Sequence, residues 1–339
     1  MKKKTFPGIS PRAYEHPADR AALQALRSIP GLDFIMKQII ALLGGEKSIH
    51  LLFLSSAARV GPKQFPKVWE SYLEACEILD VKDPPELYMV QTPMVNAAAI
   101  GVKKPFVAIH SGLLHLLDEE ELQTVMAHEL GHIKSGHALY KTIVMLSIYL
   151  LWINNKLPLS MPFLYGLVAA LYEWDRKSEL SADRAGLLVV QNPDVAVSVD
   201  MKLAGGGFTK EMSIEAFEEQ AEEYESHGTA LTTLAKIQNG MWRTHPFPVL
   251  RLKEIRLWVK SGEYQKILDG DYPKEEDDLP HLSRDFGEAL GAYKSRVGNS
   301  TEPLAKGLLK SLRVAGEEGM KGLRRLEAEA AQGKNDESN

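Results

Sequence analysis

The amino-acid sequence predicts an α+β fold that is mostly helical, with a small antiparallel sheet beside one central helix. Apolar residues recur at helical spacing over most of the chain, and three short apolar runs between residues 86 and 110 are separated by proline and glycine. The 339 residues are 45% hydrophobic and 25% charged, which is ordinary for a globular protein with a sizeable core.

The N-terminal stretch, residues 1–65, is predicted to be a helical segment that packs on this core. Apolar positions at helical spacing run through residues 18–45, and Pro30-Gly31 interrupts them. Met1–Lys4 contains three lysines, but proline, glycine and polar residues follow instead of an apolar run. The sequence therefore predicts no signal peptide and a cytoplasmic location.

The middle of the chain, residues 66–262, is predicted to form the main domain. An amphipathic helix is expected over Phe65–Leu79, followed by strands at Glu86–Gln91, Asn96–Ile100 and Phe106–His110. These strands are expected to form an antiparallel meander that leads directly into the next helix. Helices are again expected from Asp194 to about Ser261.

The most informative motif is His128-Glu129-Leu130-Gly131-His132. On a helix, His128 and His132 project from the same face, so their two imidazoles can hold one zinc ion. Glu129 then lies beside the metal, where it can take a proton from the attacking water. The sequence also predicts the helix itself, because the acidic run Asp118–Glu121 precedes apolar residues at helical spacing.

A catalytic zinc site needs a third protein ligand. The class with a third histidine just downstream is excluded, because Ser135 and Ala138 occupy its glycine and histidine positions, and His137 is displaced by one residue. Glu179 on a later helix is the predicted ligand, with one zinc ion per chain. Asp183 lies one turn further on the same face and is predicted to orient a ligand imidazole.

The two motifs together resemble the HtpX-like and CAAX-prenyl-endopeptidase group of gluzincin zinc peptidases. The resemblance rests on His-Glu-Leu-Gly-His-Ile-x-x-x-His at 128–137 and Arg-x-x-Glu-x-x-x-Asp-x-x-Gly at 176–186. Weaker matches lie at 93–101, 110–114 and 244–251. The resemblance covers roughly residues 87–257 and implies a zincin-like metalloprotease core.

The resemblance also implies roles for residues outside the zinc motifs. Asn96 and Ala97 match the family's segment upstream of the zinc helix, and an edge strand there is expected to hold substrate by β-augmentation. Arg176 is assigned with Asp183 to the support of the ligands, and which ligand each supports stays open. His245 has three open roles: stabilising the oxyanion, binding zinc in a resting state, or capping a turn with Arg251 paired to an acid. The other histidines, His137 among them, are assigned no catalytic role.

These features predict a zinc-dependent metalloendopeptidase that hydrolyses peptides or unfolded proteins, with protein quality control as a candidate role. Glu129 is its predicted general base, and no acyl-enzyme is expected. One alternative is a membrane-associated binding or holdase protein with a latched or structural zinc site. In a latched site, a further protein ligand fills the open position and blocks water. Another alternative is a zinc hydrolase that acts on a non-peptide amide.

Residues 140–174 between the zinc motifs are predicted to form a hairpin of two short helices. A spanning helix needs about 20 apolar residues, and neither Ile143–Ile153 nor Leu157–Tyr172 reaches that length. Three readings stay open: a buried pair, a full span, or peripheral contact of residues 143–172 with a membrane or partner. In the peripheral reading, Tyr149, Trp152 and Trp174 lie near the interface.

Residues 263–339 are predicted to be a linker and helices. The acidic run Lys274–Asp278 is expected to be exposed, followed by helices near 285–297 and 304–331 and a disordered tail.

The net charge of −5 and the absence of a basic cluster argue against a nucleic-acid partner. The lone Cys76 is expected to be buried. The oligomeric state stays open.

Overall fold

The fold is given by a computed structural model that describes residues 3–27, 45–152, 161–226 and 248–278. Its helices are α1 (Pro17–Arg27), α2 (Gly45–Ser56), α3 (Pro66–Ile78), α4 (Ser111–Leu116), α5 (Glu119–Lys134), α6 (Ala138–Trp152), α7 (Met161–Val190), α8 (Pro193–Gly205), α9 (Ile214–Ser226), α10 (Pro248–Lys260) and α11 (Glu263–Leu268). Short 3-10 helices are Pro11–Ala13, Thr209–Glu211 and Glu275–Asp278. The strands are β1 (Ala58–Arg59), β2 (Leu87–Val90), β3 (Ala97–Ile100) and β4 (Phe106–His110). The predicted α+β fold with a helical majority is confirmed.

The four strands form one mixed sheet in the order β1-β2-β4-β3, which packs against α5. β2 pairs with β4 in parallel, with Leu87 opposite Val107. β1 pairs with β2, and β3 with β4, in antiparallel orientation. The predicted antiparallel meander is therefore wrong in its pairing, because β2 lies beside β4 rather than β3. The two-residue strand β1 is too short to show an alternating pattern in the sequence.

The segment between β2 and β3 explains the parallel pairing. The Thr92 backbone N–H donates to Ser111 Oγ at 3.1 Å, and the Gly112 N–H donates to the Thr92 carbonyl at 3.0 Å. These bonds fasten the chain that leaves β2 to the end of β4, so both strands finish at the same edge and run in the same direction. Only glycine fits at position 112, because a Cβ there would lie 2.4 Å from the Met94 carbonyl oxygen.

Helix α5 begins where its acidic first turn predicts, and its start is a capping box. Asp118 Oδ1 accepts from the Glu121 N–H at 3.0 Å, and Glu121 Oε2 accepts from the Asp118 N–H at 2.9 Å. Every residue from Glu121 to His132 is buried. The motif therefore lies on a helix whose start is fixed by side-chain bonds and whose whole circumference is packed.

Helices α5 and α7 pack closely along the part that carries the two motifs. A Cβ at Gly131 would lie 2.6 Å from the Cβ of Ala185, and a Cβ at Gly186 would lie 3.1 Å from the Thr124 carbonyl oxygen. Small residues on both helices therefore let the two backbones approach, which brings the α7 carboxylates to the α5 histidines. The sequence predicts this close approach from Ala182, Ala185 and Gly186.

The predicted hairpin over residues 140–174 differs from the observed helices. Its first helix is present as α6, but its second is the start of the single 30-residue helix α7, which continues through the Glu179 motif. Trp174 is fully buried and donates from Nε1 to Asp19 Oδ1 at 3.0 Å, so its predicted place at an interface is wrong. Among the described residues, no helix combines the length and the apolar character that crossing a bilayer requires.

The two ends of the described chain meet on the surface of the core. The Phe6 N–H donates to the Ile78 carbonyl at 2.9 Å, and the Glu275 N–H donates to the Gly8 carbonyl at 2.9 Å. Lys274–Glu276 is exposed as predicted, although Lys134 Nζ also donates a hydrogen bond to Glu275 at 2.5 Å.

Cys76 is buried as predicted, and burial raises the pKa of its thiol to about 12. The predicted helices and tail after residue 278, and the helical pattern over 28–44, lie outside the described residues.

Candidate active site and metal centre

Helices α5 and α7 bring three ligand-type side chains together in the core. The Nε2 atoms of His128 and His132 lie 3.2 Å apart. The carboxylate oxygens of Glu179 lie 3.3 Å from His128 Nε2 and 3.2 Å from His132 Nε2. All three side chains are buried, and together they form a cluster that can hold a metal ion. The three residues predicted as ligands are therefore adjacent.

The spacing and chemistry of this cluster fit a small divalent ion. Atoms about 2.0–2.1 Å from a tetrahedral ion are separated by about 3.3 Å, which is close to the distances found between these ligand atoms. Two imidazoles and one carboxylate are also the donor set of several catalytic metal sites, in which one position stays open. The residues present therefore fit a bound metal.

The charges around the cluster favour a cation. Burial lowers the pKa of His128, but Glu179 and Asp183 outweigh it and raise that pKa to about 9. Burial and the neighbouring Lys141 hold the pKa of His132 well below its usual value, so its imidazole is neutral and able to ligate. The site therefore stabilises added positive charge beside at least one neutral imidazole.

Asp183 lies against His128. Its Oδ1 lies 2.9 Å from His128 Nδ1, which leaves Nε2 directed at the ligand cluster. Arg251 on α10 holds Asp183 in place, donating from Nε to Oδ2 at 2.7 Å and from Nη2 to Oδ1. This guanidinium outweighs the effect of burial and keeps the pKa of Asp183 below its ordinary value. The suggested pairing of Arg251 with a nearby acid is confirmed.

Glu179 is held by a buried lysine that the sequence analysis did not assign. Lys141 Nζ on α6 donates to Glu179 Oε1 at 2.6 Å and to Asp175 Oδ1 at 2.8 Å. Burial opposes the charge of Lys141, but Asp175 and Glu179 outweigh it and raise the lysine's pKa. The sequence contains one indication of this role: Lys141 is the one charged residue in the apolar helix α6. A buried lysine needs an acidic partner.

His132 is supported by a second histidine. His132 Nδ1 and His137 Nδ1 lie 3.1 Å apart in a hydrogen bond, and His137 Nε2 lies 3.2 Å from Asp19 Oδ2. Asp19 also accepts from Ser181 Oγ at 2.6 Å and from Trp174. Burial raises the pKa of Asp19, but His137 and these donors outweigh it and lower the pKa overall. This chain of contacts could not be predicted from the sequence, because Asp19 is remote from His137 along the chain and the spacing of His137 tests it only as a metal ligand.

Replacing His137 is expected to weaken metal binding. In His137→Leu the hydrogen bond to His132 Nδ1 is lost, so the imidazole is less well oriented. We expect the affinity for Zn²⁺, measured by competition with a chromogenic chelator, to fall about 10- to 100-fold. The control is His115→Leu, which removes an exposed histidine. Equal affinity in the two variants would show that His132 does not depend on His137.

A cavity of about 280 Å³ opens beside the cluster. Its lining includes His128, the fully buried Glu129, and Asn96 and Ala97 at the start of the edge strand β3. Glu129 therefore lies on the same cavity as His128 and the start of an edge strand of the sheet. This arrangement places a carboxylate that can accept a proton beside a cluster that can hold a metal ion.

Two predicted site residues remain untested by this geometry. Arg176 lies on α7 before Glu179, but the ion pair to Asp183 is made by Arg251. His245 lies outside the described residues. Pro248, three positions later, lines the cavity. Both assignments stay predictions.

Comparison with known proteins places this site in a family context. The sequence pattern described as "Peptidase family M48" matches residues 62–259. The chain is 37% identical over 270 residues to the "Plastoglobule-localized metallopeptidase 48, chloroplastic" of Arabidopsis thaliana, with 78% of this chain and 77% of that protein covered.

Bacterial and archaeal relatives are more distant. A "Protease HtpX homolog" of Tropheryma whipplei is 30% identical over 208 residues, covering 52% of this chain and 71% of the relative. A "Protease HtpX homolog 2" of Methanosarcina acetivorans is 28% identical over 184 residues, covering 46% of this chain and 60% of the relative. No solved structure matches the chain.

Proposed function

The chain belongs to peptidase family M48, and from this membership we propose that it is a zinc-dependent metalloendopeptidase that cleaves protein substrates. The carrying observation is the buried cluster of His128, His132 and Glu179, with Glu129 on the cavity beside it. Family membership makes the protein a metalloprotease. The identity of the metal, the kind of substrate and the residue roles are the proposed part.

Zinc is supported by the donor set. Two imidazole nitrogens and one carboxylate suit Zn²⁺, and catalytic zinc sites use three protein ligands. Each ligand also has its own buried partner: Asp183 for His128, His137 for His132 and Lys141 for Glu179. Such partners fix the orientation of the ligands before a metal binds. A bound zinc ion supplies Lewis acidity toward the attacking water and the scissile carbonyl.

In the proposed mechanism Glu129 moves the proton. Its carboxylate takes a proton from the water that attacks the scissile carbonyl, and then gives that proton to the departing amine. Burial excludes bulk water from this carboxylate, so the proton is transferred between defined groups. His245 is proposed to stabilise the oxyanion, and this proposal is supported by its sequence position three residues before Pro248, which lines the cavity.

The substrate backbone is proposed to lie along β3. This strand is at the edge of the sheet, and Asn96 and Ala97 at its start line the cavity. Pairing of an extended substrate with a strand edge binds the main chain, so it needs little particular sequence. Unfolded proteins are extended and accessible, which supports a role in protein quality control. Peripheral membrane contact through residues 143–172 and a cytoplasmic location remain proposals from the sequence.

Removal of the metal tests this proposal. Purified protein is dialysed against a chelator, and hydrolysis of a fluorescently quenched unfolded casein is followed before and after addition of Zn²⁺. We expect no hydrolysis without metal and full recovery at about one Zn²⁺ per chain, as a mononuclear site requires. Metal content is measured on the same samples. Recovery that needs a second equivalent would contradict a mononuclear site.

The alternative functions give different results in the same experiment. A structural or latched site keeps its zinc and leaves casein intact, as expected for a binding or holdase protein with four protein ligands. A hydrolase of non-peptide amides also leaves casein intact, but it hydrolyses small amide substrates in a zinc-dependent way. The edge strand beside the cavity favours the peptidase.

A further inference from the structure

The cavity beside the metal cluster contains a buried acid that the proposed mechanism does not use. Asp200 on α8 lines this cavity and is 4% exposed. Most of the remaining wall is apolar and comes from α4, α5, α8 and α10, with the side chains Leu113, Val125, Ala196, Val199, Leu203 and Ile255. The exposed Met94 and Val95 also line it, at the end that opens to solvent.

The buried Oδ1 atom of Asp200 lacks a hydrogen-bond partner among the described residues. Arg251 Nη2 lies 3.7 Å from this atom, within ion-pair range but beyond hydrogen-bond distance. Arg251 is already committed to a bidentate pair with Asp183. Burial is the main reason that the pKa of Asp200 is raised to about 8. The charge of Arg251 opposes this rise, as does that of His128, whereas the charges of Asp183 and Glu179 add to it. A carboxylate at this position is therefore short of compensating charge.

The charge balance around the cavity shows the same deficit. Arg251 is the one lysine or arginine among the described residues that line the cavity, and it carries one positive charge. It faces three acidic side chains in the same lining: Glu129, Asp183 and Asp200. A carboxylate buried in apolar surroundings without a full partner is costly, so an incoming cation would be stabilised there.

We propose that this cavity is a specificity subsite for a lysine or arginine side chain of the substrate, with Asp200 as its recognition residue. The apolar walls match the methylene stem of such a side chain, and the carboxylate at the wall matches its charged end. Substrates without a donor at this position leave the buried acid unpaired and are disfavoured. The inference rests on the proposed peptidase function.

The position of Glu129 indicates which substrate residue enters the subsite. In the proposed mechanism Glu129 gives its proton to the departing amine, so the residue that carries this amine lies on the Glu129 side of the ligand cluster. Glu129 and His128 line the cavity on that side, whereas His132 and Glu179 are not part of its wall. The recognised side chain therefore belongs to the first residue after the cleaved bond.

Mass spectrometry of cleaved casein provides the first test. With zinc-loaded wild type, we expect the new N-termini to be enriched in lysine and arginine. In quenched peptides that differ only at this position, lysine is expected to exceed methionine about 10- to 100-fold in kcat/KM, the range of a hydrogen bond to a charged group. In Asp200→Asn this ratio is expected to fall at least tenfold. Asp194→Asn, an exposed acid on the same helix, is the matched control.

Binding to an inactive variant separates failure of this inference from failure of the proposed function. Zinc-loaded Glu129→Gln is titrated calorimetrically with the lysine and methionine peptides, with and without Asp200→Asn. Tighter binding of the lysine peptide that depends on Asp200 supports the subsite even when no peptide is cleaved. Equal binding of the two peptides, or a preference unaffected by Asp200→Asn, overturns it. Asp200→Ala is the second variant if the asparagine form melts below wild type.

Discussion

Glu129→Gln is expected to lower the hydrolysis of unfolded casein by about 10²- to 10⁴-fold, the range that general acid–base catalysis contributes. The amide has the size of the carboxylate but cannot accept the proton from the attacking water. Glu129 is fully buried on the wall of the cavity, and it is not one of the three clustered ligand-type residues. The variant is therefore expected to keep its zinc and its melting temperature. Initial rates and metal content are measured on one preparation.

Glu120→Gln is the matched control for this variant. Glu120 is an exposed acid on the same helix, two turns before the ligands. We expect its rate to stay within about twofold of wild type, because surface substitutions have small effects. A rate for Glu129→Gln as high as that of Glu120→Gln would exclude Glu129 as the base. If neither wild type nor Glu129→Gln cleaves while both hold zinc, the site is latched, and His245 becomes the next residue to replace.

The second large effect is expected on stability. Arg251→Leu removes a 5% exposed guanidinium that pairs with Asp183 and lies 3.7 Å from Asp200 and 3.8 Å from Glu179. Asp183 then loses its bidentate partner, and Asp200 and Glu179 lose a nearby positive charge. Breaking a buried ion pair by removing one partner costs about 3–5 kcal/mol, so urea unfolding of the metal-free protein should shift by that amount. Zinc affinity should also fall, because Asp183 no longer holds His128 in one orientation.

Arg256→Leu tests whether burial, rather than loss of any arginine, causes this effect. Arg256 lies on the same helix and pairs with Glu218 at 3.0 Å, with about a third of each side chain exposed. We expect a cost of about 1 kcal/mol or less, since surface ion pairs contribute little. In an Asp183→Asn background, Arg251→Leu should cost much less than alone, because the two residues interact directly. Equal costs for the two arginine variants would contradict the proposed role of the buried pair.

The sequence by itself determined the central helix and which three side chains come together in the cluster that can hold a metal ion. A histidine pair one turn apart and an acidic first turn are local features, and local spacing on a helix fixes which side chains share a face. Glu179 and Asp183 could be predicted for the same reason, as could the small residues that let α7 approach α5. The three separate strands were also predictable, because each is a short apolar run between turn residues.

Only the tertiary structure decided what surrounds the three clustered ligand-type side chains and how the strands pair. Asp19, Lys141 and Arg251 come from helices other than α5 and α7, and no sequence spacing predicts that a buried charge will meet another from a remote helix. The parallel pairing of β2 and β4 follows from a loop fastened across the sheet end. In the sequence, Asp200 is an ordinary acid on a predicted helix. Its Oδ1 atom without a hydrogen-bond partner becomes apparent only when α8, α10 and α5 enclose one cavity.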